Sequence, residues 1–341
     1  MINKNIPLNP NQIVERKPFL LKPVGKDYLW GGNRLNDELT KDIDLIPLAE
    51  TWECSVHPDG LSIIGSGIFQ GKLLAQLLRE HPDYLGTHPE TSDTLPILIK
   101  FIDAKEDLSI QVHPNDVYAK KNEKGQLGKT EMWYVLDAEK DTYLIYGLYY
   151  DIDKEVLRNS IFDGTIEKYL QKVKVKKDDV YYIEAGTIHA IGAGALIVEI
   201  QENSNLTYRL YDYGRTDKRG EKRELHIDKA LDAANLKGSS EPVQPMRVLK
   251  YCPGRASELL CRCKYFEVYR MLVNTECCRK MVDYKTDSES FHVLLCIDGC
   301  GVILMDDGDY ICFFKGDCIF FPADSDRVRL HGNIKFLDVR G

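Results

Sequence analysis

Four side chains that can bind a metal ion lie on short strand-like segments in the first part of the chain. Strand alternation places Gln111 and His113 on one face of an apolar run that stops at Pro114. Glu131 opens a second strand-like run, and because neighbouring strands lie about 4.8 Å apart, its carboxylate can reach the same space. His189 follows a later strand-like segment. An amide oxygen, two imidazoles and a carboxylate would leave room for water or substrate, as catalytic divalent metals require.

A single histidine near a strand end is more often a hydrogen-bonded structural residue than a metal ligand, but several donors at strand-compatible spacings favour a metal site. The segment Leu-Ser-Ile-Gln-Val-His-Pro at 108–114, followed by Lys-Thr-Glu at 129–131, resembles the type I phosphomannose isomerases. In that family the Gln, the His, the Glu of Lys-Pro-Glu and a later His bind zinc. The resemblance implies one divalent metal ion per chain, expected to be Zn²⁺, with the ligands Gln111, His113, Glu131 and His189.

The resemblance extends to a candidate catalytic arginine. The stretch 203–209 follows His189 at nearly the interval at which the family places Ser-Asp-Asn-x-x-Arg, which maps the family's active-site arginine onto Arg209. The family's aspartate position falls on Asn205, so a carboxylate acid or base is not expected there. Arg215, six residues after Arg209, is the alternative if the register is shifted.

Two further positions depart from the family motif. Thr130 replaces the proline of Lys-Pro-Glu, and Gly128 replaces the histidine that often precedes it. The chain is also shorter than the long form of the family and is similar to the short bacterial form.

The resemblance implies an isomerase that interconverts mannose 6-phosphate and fructose 6-phosphate. Such a reaction moves a proton between C1 and C2 through an enediolate, whose negative charge must be stabilised where it develops. The expected catalytic residues are Arg209, Lys129 and Lys100. The expected substrate-binding residues are Ser109, Lys100, Lys129 and Arg209. Lys100 lies within the apolar run Ile-Leu-Ile-Lys-Phe-Ile and therefore requires a partner for its charge.

Three other functions fit the same residues less well. Another sugar-phosphate isomerase or epimerase would be separated by a panel of substrates, and a non-catalytic sugar-phosphate sensor would bind without turnover. A metal-dependent oxygenase would use two histidines and a carboxylate. The additional candidate ligand Gln111 and the nearby lysines favour the isomerase.

Short strands separated by turns, without alternation of strands and helices, predict a mainly β fold. The segment Asp179-x5-Ala-Gly-x2-His189 resembles half of the cupin motif, which implies two cupin-type antiparallel β-barrels, or jelly rolls, with a few flanking helices. A linker near 237–245 divides the chain into a catalytic metal-binding domain, 1–240, and a cupin-like domain without a metal site, 241–341. In the internal alignment of the two domains, Arg327 takes the place of His189.

Composition limits the possible partners. The chain has 341 residues, 43% of them hydrophobic, and a net charge of −8, which argues against nucleic-acid and membrane partners. A monomer or homodimer that binds a small sugar phosphate is expected. The first residues lack the apolar stretch of a secretion signal, so the cytoplasm is the expected location. Nine of the ten cysteines follow residue 250, without zinc-knuckle spacing, and are expected to be reduced thiols.

Overall fold

The computed structural model describes residues 16–87, 94–216, 219–278 and 280–341. The strands are β1 (Phe19–Lys22), β2 (Val24–Lys26), β3 (Glu50–Cys54), β4 (Ile63–Ile64), β5 (Ile97–Ala104), β6 (Ile110–Val112), β7 (Glu131–Ala138), β8 (Tyr143–Leu148), β9 (Leu170–Lys174), β10 (Val180–Ile183), β11 (His189–Ile191), β12 (Ala195–Glu202), β13 (Tyr208–Tyr211), β14 (Lys250–Cys252), β15 (Arg255–Arg262), β16 (Glu267–Asn274), β17 (Val282–Tyr284), β18 (His292–Met305), β19 (Tyr310–Phe314), β20 (Cys318–Phe321) and β21 (Val328–Arg340). The helices are α1 (Arg34–Leu39), α2 (Leu74–Glu80), α3 (Asp116–Asn122), α4 (Lys154–Phe162) and α5 (Ile227–Ala233), with short 3₁₀ turns at Pro82–Leu85 and Ile166–Lys168.

The strands form three antiparallel sheets. A six-stranded sheet has the order β10-β7-β12-β5-β3-β2, and a five-stranded sheet has the order β13-β6-β11-β8-β9. A ten-stranded sheet runs β14-β15-β16-β21-β18-β20-β1-β4, with β17 on β21 and β19 on β18. The predicted mainly β class is confirmed. The expected closed barrels are not found in the described part of the chain, because these sheets remain open and stack on one another instead.

The six-stranded sheet is the middle layer, and its two faces have different neighbours. In β5 every residue is buried, as the apolar run of its sequence requires. Ile97, Ile99 and Phe101 pack in the cluster that includes residues of the ten-stranded sheet, such as Val293 of β18. The side chain of Ile102 points to the opposite face of β5 and packs in the cluster shared with the five-stranded sheet. Because burying one large apolar side chain contributes about 1.5–3 kcal/mol, this double coverage fixes the strand that carries Lys100.

Helices α4 and α5 cover the outer face of the five-stranded sheet. Asp153 caps α4, since its Oδ1 accepts a hydrogen bond of 2.8 Å from the backbone N–H of Glu155. Leu157 and Ile161 of α4 and Leu231 of α5 are buried in the same cluster as strand residues of β6 and β8. The helices therefore support the strands from outside and leave the space between the two smaller sheets open.

The ten-stranded sheet contains strands from both ends of the chain. Phe19 of β1 is the Cα partner of Phe320 in β20, and Leu21 of β1 is the partner of Ile64 in β4. The division into domains 1–240 and 241–341 stays a prediction. No helix in the described ranges is long and apolar enough to span a membrane.

Candidate metal centre and substrate cavity

Three adjacent strands of the five-stranded sheet set three of the candidate side chains in a row. His189 at the start of β11 is the direct Cα partner of Gln111 in β6. On the other side of β6, Arg209 in β13 is also a partner of Gln111. Because directly paired residues of antiparallel strands point to the same face, the three side chains share one face of this sheet. The Nε2 atoms of Gln111 and His189 lie 3.5 Å apart.

Glu131 reaches the same place from the six-stranded sheet, where it begins β7. Its Oε1 lies 3.3 Å from Nε2 of His113, and its Oε2 lies 3.8 Å from Nε2 of His189. Ligand atoms of these three buried residues all lie within 4.8 Å of one another. The structure therefore brings His113, Glu131 and His189 together, with Gln111 beside them.

Both histidines are oriented by backbone carbonyl groups. Nδ1 of His113 lies 2.7 Å from the carbonyl oxygen of Leu206, and Nδ1 of His189 lies 2.8 Å from that of Thr187. Each Nδ1 is thus the N–H donor, which leaves each Nε2 as the nitrogen that carries the lone pair, close to the carboxylate of Glu131. Burial, followed by the charge of Lys129, lowers the pKa of His113 to about 3. Burial also lowers the pKa of His189, so both imidazoles are neutral, as metal ligands must be.

The carboxylate of Glu131 has unused hydrogen-bonding capacity. It is fully buried, and neither of its oxygens has a hydrogen-bond partner of acceptable geometry. Nζ of Lys129 does lie 2.5 Å from Oε1, but this close ion pair leaves Oε2 without a comparable neighbour. A buried ionised carboxylate without hydrogen bonds is costly, and coordination of a cation removes that cost. The donor set of two neutral imidazoles and an unsatisfied carboxylate therefore fits a divalent metal ion.

A cavity of about 260 Å³ lies between the two smaller sheets, and of the four candidate ligands Gln111 is in its wall. Its lining residues are Tyr28, Trp30, Glu50, Lys100, Ile102, Leu108, Ser109, Gln111, Lys129, Ile191, Glu199, Asn205, Thr207, Arg209 and Arg223. All of the residues expected to bind substrate are among them. Two larger surface grooves, of about 630 and 560 Å³, share no lining residue with this cavity.

Lys100 is buried on the cavity wall together with two carboxylates. Its Nζ lies 2.9 Å from Oε1 of Glu199, the directly opposite residue on β12, and 3.8 Å from Oε2 of Glu50. Burial alone would lower the pKa of Lys100, but the charges of Glu199 and Glu50 raise it above its ordinary value. The indoles of Trp133 and Trp52 donate hydrogen bonds of 2.9 and 2.8 Å to Glu199 and Glu50 respectively. Lys100 is therefore a fixed cation at the cavity surface.

Arg209 is also fixed at the cavity wall. Its Nε donates to Oγ of Ser109 at 3.2 Å and its Nη1 donates to the carbonyl of Glu224 at 2.8 Å. Its Nη2 has no acceptor among the described residues. Burial and the neighbouring Arg223 lower the pKa of Arg209 below its ordinary value.

Arg215 is placed differently. It does not line the cavity, and its guanidinium is held by Asp212 at 2.6 Å and by the carbonyl of Asp107 at 2.5 Å. Asp212 also pairs with Arg223, whose Nε lies 2.8 Å away. The geometry thus separates the two arginines that the sequence left as alternatives.

The sequence analysis did not identify three charged residues of the cavity lining: Glu50, Glu199 and Arg223. Glu199 could have been identified by the same feature as Lys100, because it is a charged residue within the apolar run Ala-Leu-Ile-Val-Glu-Ile. The pairing of the two follows from the strand register, which the sequence does not specify. We find no comparable signal for Arg223, which follows a chain turn.

Steric crowding explains why position 128 is occupied by glycine. A Cβ atom there would lie 2.5 Å from the backbone nitrogen of Asp116 and 2.7 Å from the carbonyl carbon of Asn115. The loop before Glu131 passes so close to the start of α3 that a histidine cannot be accommodated without moving the backbone. This departure from the family motif is therefore part of the local packing.

Comparison with known proteins agrees with this geometry. Residues 19–142 match the family described as phosphomannose isomerase type I, catalytic domain. A mannose-6-phosphate isomerase of Bacillus subtilis is 36% identical over 317 residues, covering 93% of this chain and 96% of that protein. A Streptococcus mutans mannose-6-phosphate isomerase is 37% identical over 258 residues, covering 76% of this chain and 79% of its own length.

Solved structures show the same relationship. The crystal structure of a Bacillus subtilis mannose 6-phosphate isomerase superposes with a TM-score of 0.86 at 35% identity, covering 95% of this chain and 99% of that one. A mannose 6-phosphate isomerase bound with zinc and yttrium shares the fold, with a TM-score of 0.70 at 16% identity, covering 95% and 99% of the two chains. Because the chain is 36% identical to the Bacillus subtilis mannose-6-phosphate isomerase over 93% of its length, it belongs to the type I phosphomannose isomerase family.

Proposed function

We propose that this chain is a metal-dependent isomerase that interconverts mannose 6-phosphate and fructose 6-phosphate. The observation that carries the proposal is the buried Glu131, whose unsatisfied oxygens face two neutral imidazoles beside a cavity lined by four cations, Lys100, Lys129, Arg209 and Arg223. The activities of the relatives named above support the choice of substrate. A net charge of −8 makes these local cations necessary for binding an anionic sugar phosphate.

Gln111, His113, Glu131 and His189 would hold one divalent ion, with Zn²⁺ favoured because imidazole nitrogen and carboxylate oxygen are usual zinc ligands. When bound, the ion supplies Lewis-acid polarisation of a substrate oxygen.

The remaining chemistry belongs to the side chains of the cavity. In the aldose-to-ketose direction the proton on C2 is removed, the enediolate forms, and a proton is delivered to C1, with no net change in oxidation state. Nη2 of Arg209 is available for an oxygen of the enediolate or the phosphate, and the planar guanidinium suits either group. Lys100 remains charged within its carboxylate pair and adds positive potential on the opposite wall. Lys129 places its ammonium group next to the metal ligands, 3.2 Å from Nε2 of His113.

The ten cysteines are all free thiols, which supports the cytoplasm, a reducing compartment, as the location. A monomer or homodimer remains our prediction for the assembly.

A coupled assay that detects fructose 6-phosphate from mannose 6-phosphate, with and without a chelator, tests the proposal. We expect turnover that chelation abolishes and that added Zn²⁺ restores. The same assay with other aldose phosphates separates this activity from a related isomerase. Binding of mannose 6-phosphate without turnover in the metal-loaded protein would contradict the proposal and indicate a sensor.

A further inference from the structure

The backbone around Lys129 is held by an unbroken series of hydrogen bonds. The backbone amide of Gly128 donates to Oδ1 of Asp116 at 2.9 Å, and the amide of Lys129 donates to the carbonyl of Pro114 at 3.0 Å. The amide of Thr130 donates to Oε1 of Glu202 at 2.8 Å. Since all three N–H groups are engaged, the direction in which Lys129 leaves the backbone depends on these acceptors.

One of the acceptors is also bound by the ten-stranded sheet, which is called the C-terminal sheet from here on because eight of its strands, β14 to β21, lie after residue 249. The hydroxyl of Tyr265 donates to Oδ2 of Asp116 at 3.0 Å, and Nζ of Lys264 lies 3.7 Å from the same oxygen. Both residues lie in the turn between β15 and β16. The turn is closed by Cys263, whose N–H donates to the carbonyl of Phe266 at 3.0 Å and whose sulfur accepts from the N–H of Tyr265 at 3.4 Å. A single carboxylate thus joins the C-terminal sheet to the loop that carries Lys129.

The second carboxyl group of the series, Glu202, is hydrogen-bonded to Asp116. Two carboxyl groups in contact share a proton, because two negative charges at this distance repel each other. Burial, and then the charge of Asp116, raise the pKa of Glu202 to about 8. Burial would raise the pKa of Asp116 too, but the hydrogen bonds from the Gly128 amide and Tyr265 hold it below its ordinary value. Glu202 is therefore the protonated partner at neutral pH.

Other titratable groups also face this pair. Tyr182 and Cys263 interact electrostatically with Glu202, as does Tyr265. Lys264 is the cation beside Asp116. None of these four groups is a carboxylate, so ionisation of Glu202 introduces the second negative charge of the pair.

We propose that Tyr265 is a positioning residue, through which the C-terminal sheet fixes Lys129 beside the metal ligands by holding Asp116 against the 128–130 loop. The proposal rests on the proposed function to the extent that Lys129 acts in the isomerase reaction. It assigns to the C-terminal sheet a direct part in shaping the active site, although that sheet contributes no residue to the cavity lining given above.

The test compares Tyr265→Phe with Tyr269→Phe in the metal-loaded protein. Tyr269 is a matched control in the same hairpin, because its hydroxyl also donates to a carboxylate, Glu267, at 3.1 Å, but has no link to the loop. Since a single hydrogen bond contributes a net 0.5–1.5 kcal/mol, we expect Tyr265→Phe to lower kcat roughly 2- to 10-fold with KM and metal content nearly unchanged. Tyr269→Phe should leave kcat unchanged.

Hydrogen–deuterium exchange gives a readout that does not depend on catalysis. Amides of the peptide that covers residues 126–131 should exchange faster in Tyr265→Phe than in wild type or Tyr269→Phe. If wild type does not isomerise mannose 6-phosphate, the proposed function fails, but the exchange data still decide whether Tyr265 holds the loop. If wild type is active and Tyr265→Phe changes neither kcat nor exchange, the positioning role is overturned.

The pH dependence of kcat provides a second test, which uses the variant Glu202→Gln. Above pH of about 8 the ionised Glu202 should repel Asp116 and loosen the loop, so kcat should fall. Glu202→Gln keeps both an acceptor for the loop amide and a donor for Asp116 but cannot ionise. We expect this variant to be active at pH 7 and to lose less activity than wild type between pH 7 and 9. An alkaline decline identical to that of wild type would overturn the role of the carboxyl pair.

Discussion

Each half of the chain buries a carboxylate against a histidine, and the two arrangements differ in how completely the carboxylate is satisfied. In the C-terminal sheet, Oδ1 of Asp338 lies 3.1 Å from Nδ1 of His292, and Oδ2 accepts from Nη2 of Arg340 at 2.8 Å. The hydroxyl of Tyr284 lies 2.6 Å from the same His292 nitrogen. Around Glu131, in contrast, neither oxygen has a well-formed hydrogen bond.

The comparison shows how a buried polar cluster that binds a ligand can be distinguished from one that only stabilises the fold. A buried polar cluster with every group paired stabilises one conformation and has nothing left to offer a ligand. A buried cluster with unpaired acceptors is incomplete, and a cation completes it. Burial opposes ionisation of Asp338, but His292 and Arg340 hold its pKa well below the ordinary value, so its charge is already compensated within the protein.

The largest effect is expected from removing the incomplete carboxylate. Glu131→Gln should lose bound metal and lower kcat by at least about 10²-fold, because Lewis-acid stabilisation amounts to several kcal/mol. His113→Ala should behave in the same way. Elemental analysis and the coupled assay measure both quantities. A full metal complement in these variants would contradict our assignment of the ligands.

Arg209 tests the substrate side of the same site. Arg209→Lys keeps the charge but loses the planar fork, and the loss of a comparable oxyanion donor costs about 10² to 10³ in kcat. Because the arginine is not a ligand, bound metal should stay at the wild-type level. Arg215→Lys is the control, since Arg215 is held by Asp212 outside the cavity lining. If Arg215→Lys were the more damaging substitution, our choice of arginine would be wrong.

The satisfied carboxylate should affect stability instead of metal binding. Breaking a buried pair on one side costs about 3–5 kcal/mol, so Asp338→Ala should lower the free energy of unfolding by that order at pH 7 without altering metal content. The low pKa of Asp338 also sets the direction of the pH dependence. The ionised carboxylate stabilises the folded protein above the unfolded-state pKa of about 3.9, and this stabilisation is lost as the pH falls. Urea unfolding should therefore show a smaller difference from wild type at pH 3 than at pH 7. Loss of metal from this variant would remove the distinction between the two clusters.

The smallest effect is expected from the thiols near the C-terminal turn. Cys261→Ser combined with Cys263→Ser should leave metal stoichiometry at the wild-type level and kcat largely intact, because serine at 263 can still accept from the N–H of Tyr265. A fall in zinc content would show that these cysteines contribute a second metal site.

The candidate ligands could be predicted because strand alternation and the family motif act over short distances in the sequence. Gln111 and His113 are two residues apart, and Glu131 and His189 each begin a strand. The need of Lys100 for a partner also followed from its apolar neighbours. Its partner Glu199 did not, because register between β5 and β12 depends on packing over both faces of the sheet. The closed barrels were wrong for a related reason: strand patterns define local pairing, whereas closure depends on how whole sheets meet.

The pairing of β1 with β20 also bears on how the protein forms during synthesis. Phe19 cannot pair with Phe320, its partner in the sheet, until Phe320 has been synthesised. At a synthesis rate of about 5–20 residues per second, this interval lasts roughly 15–60 seconds. During that time an apolar strand near the N-terminus has no native neighbour in the ten-stranded sheet except the two-residue β4. Such long-range pairing slows folding, because loop-closure entropy must be overcome before the contact forms. Residues 19–22 therefore complete their pairing in the sheet only after β20 has been synthesised.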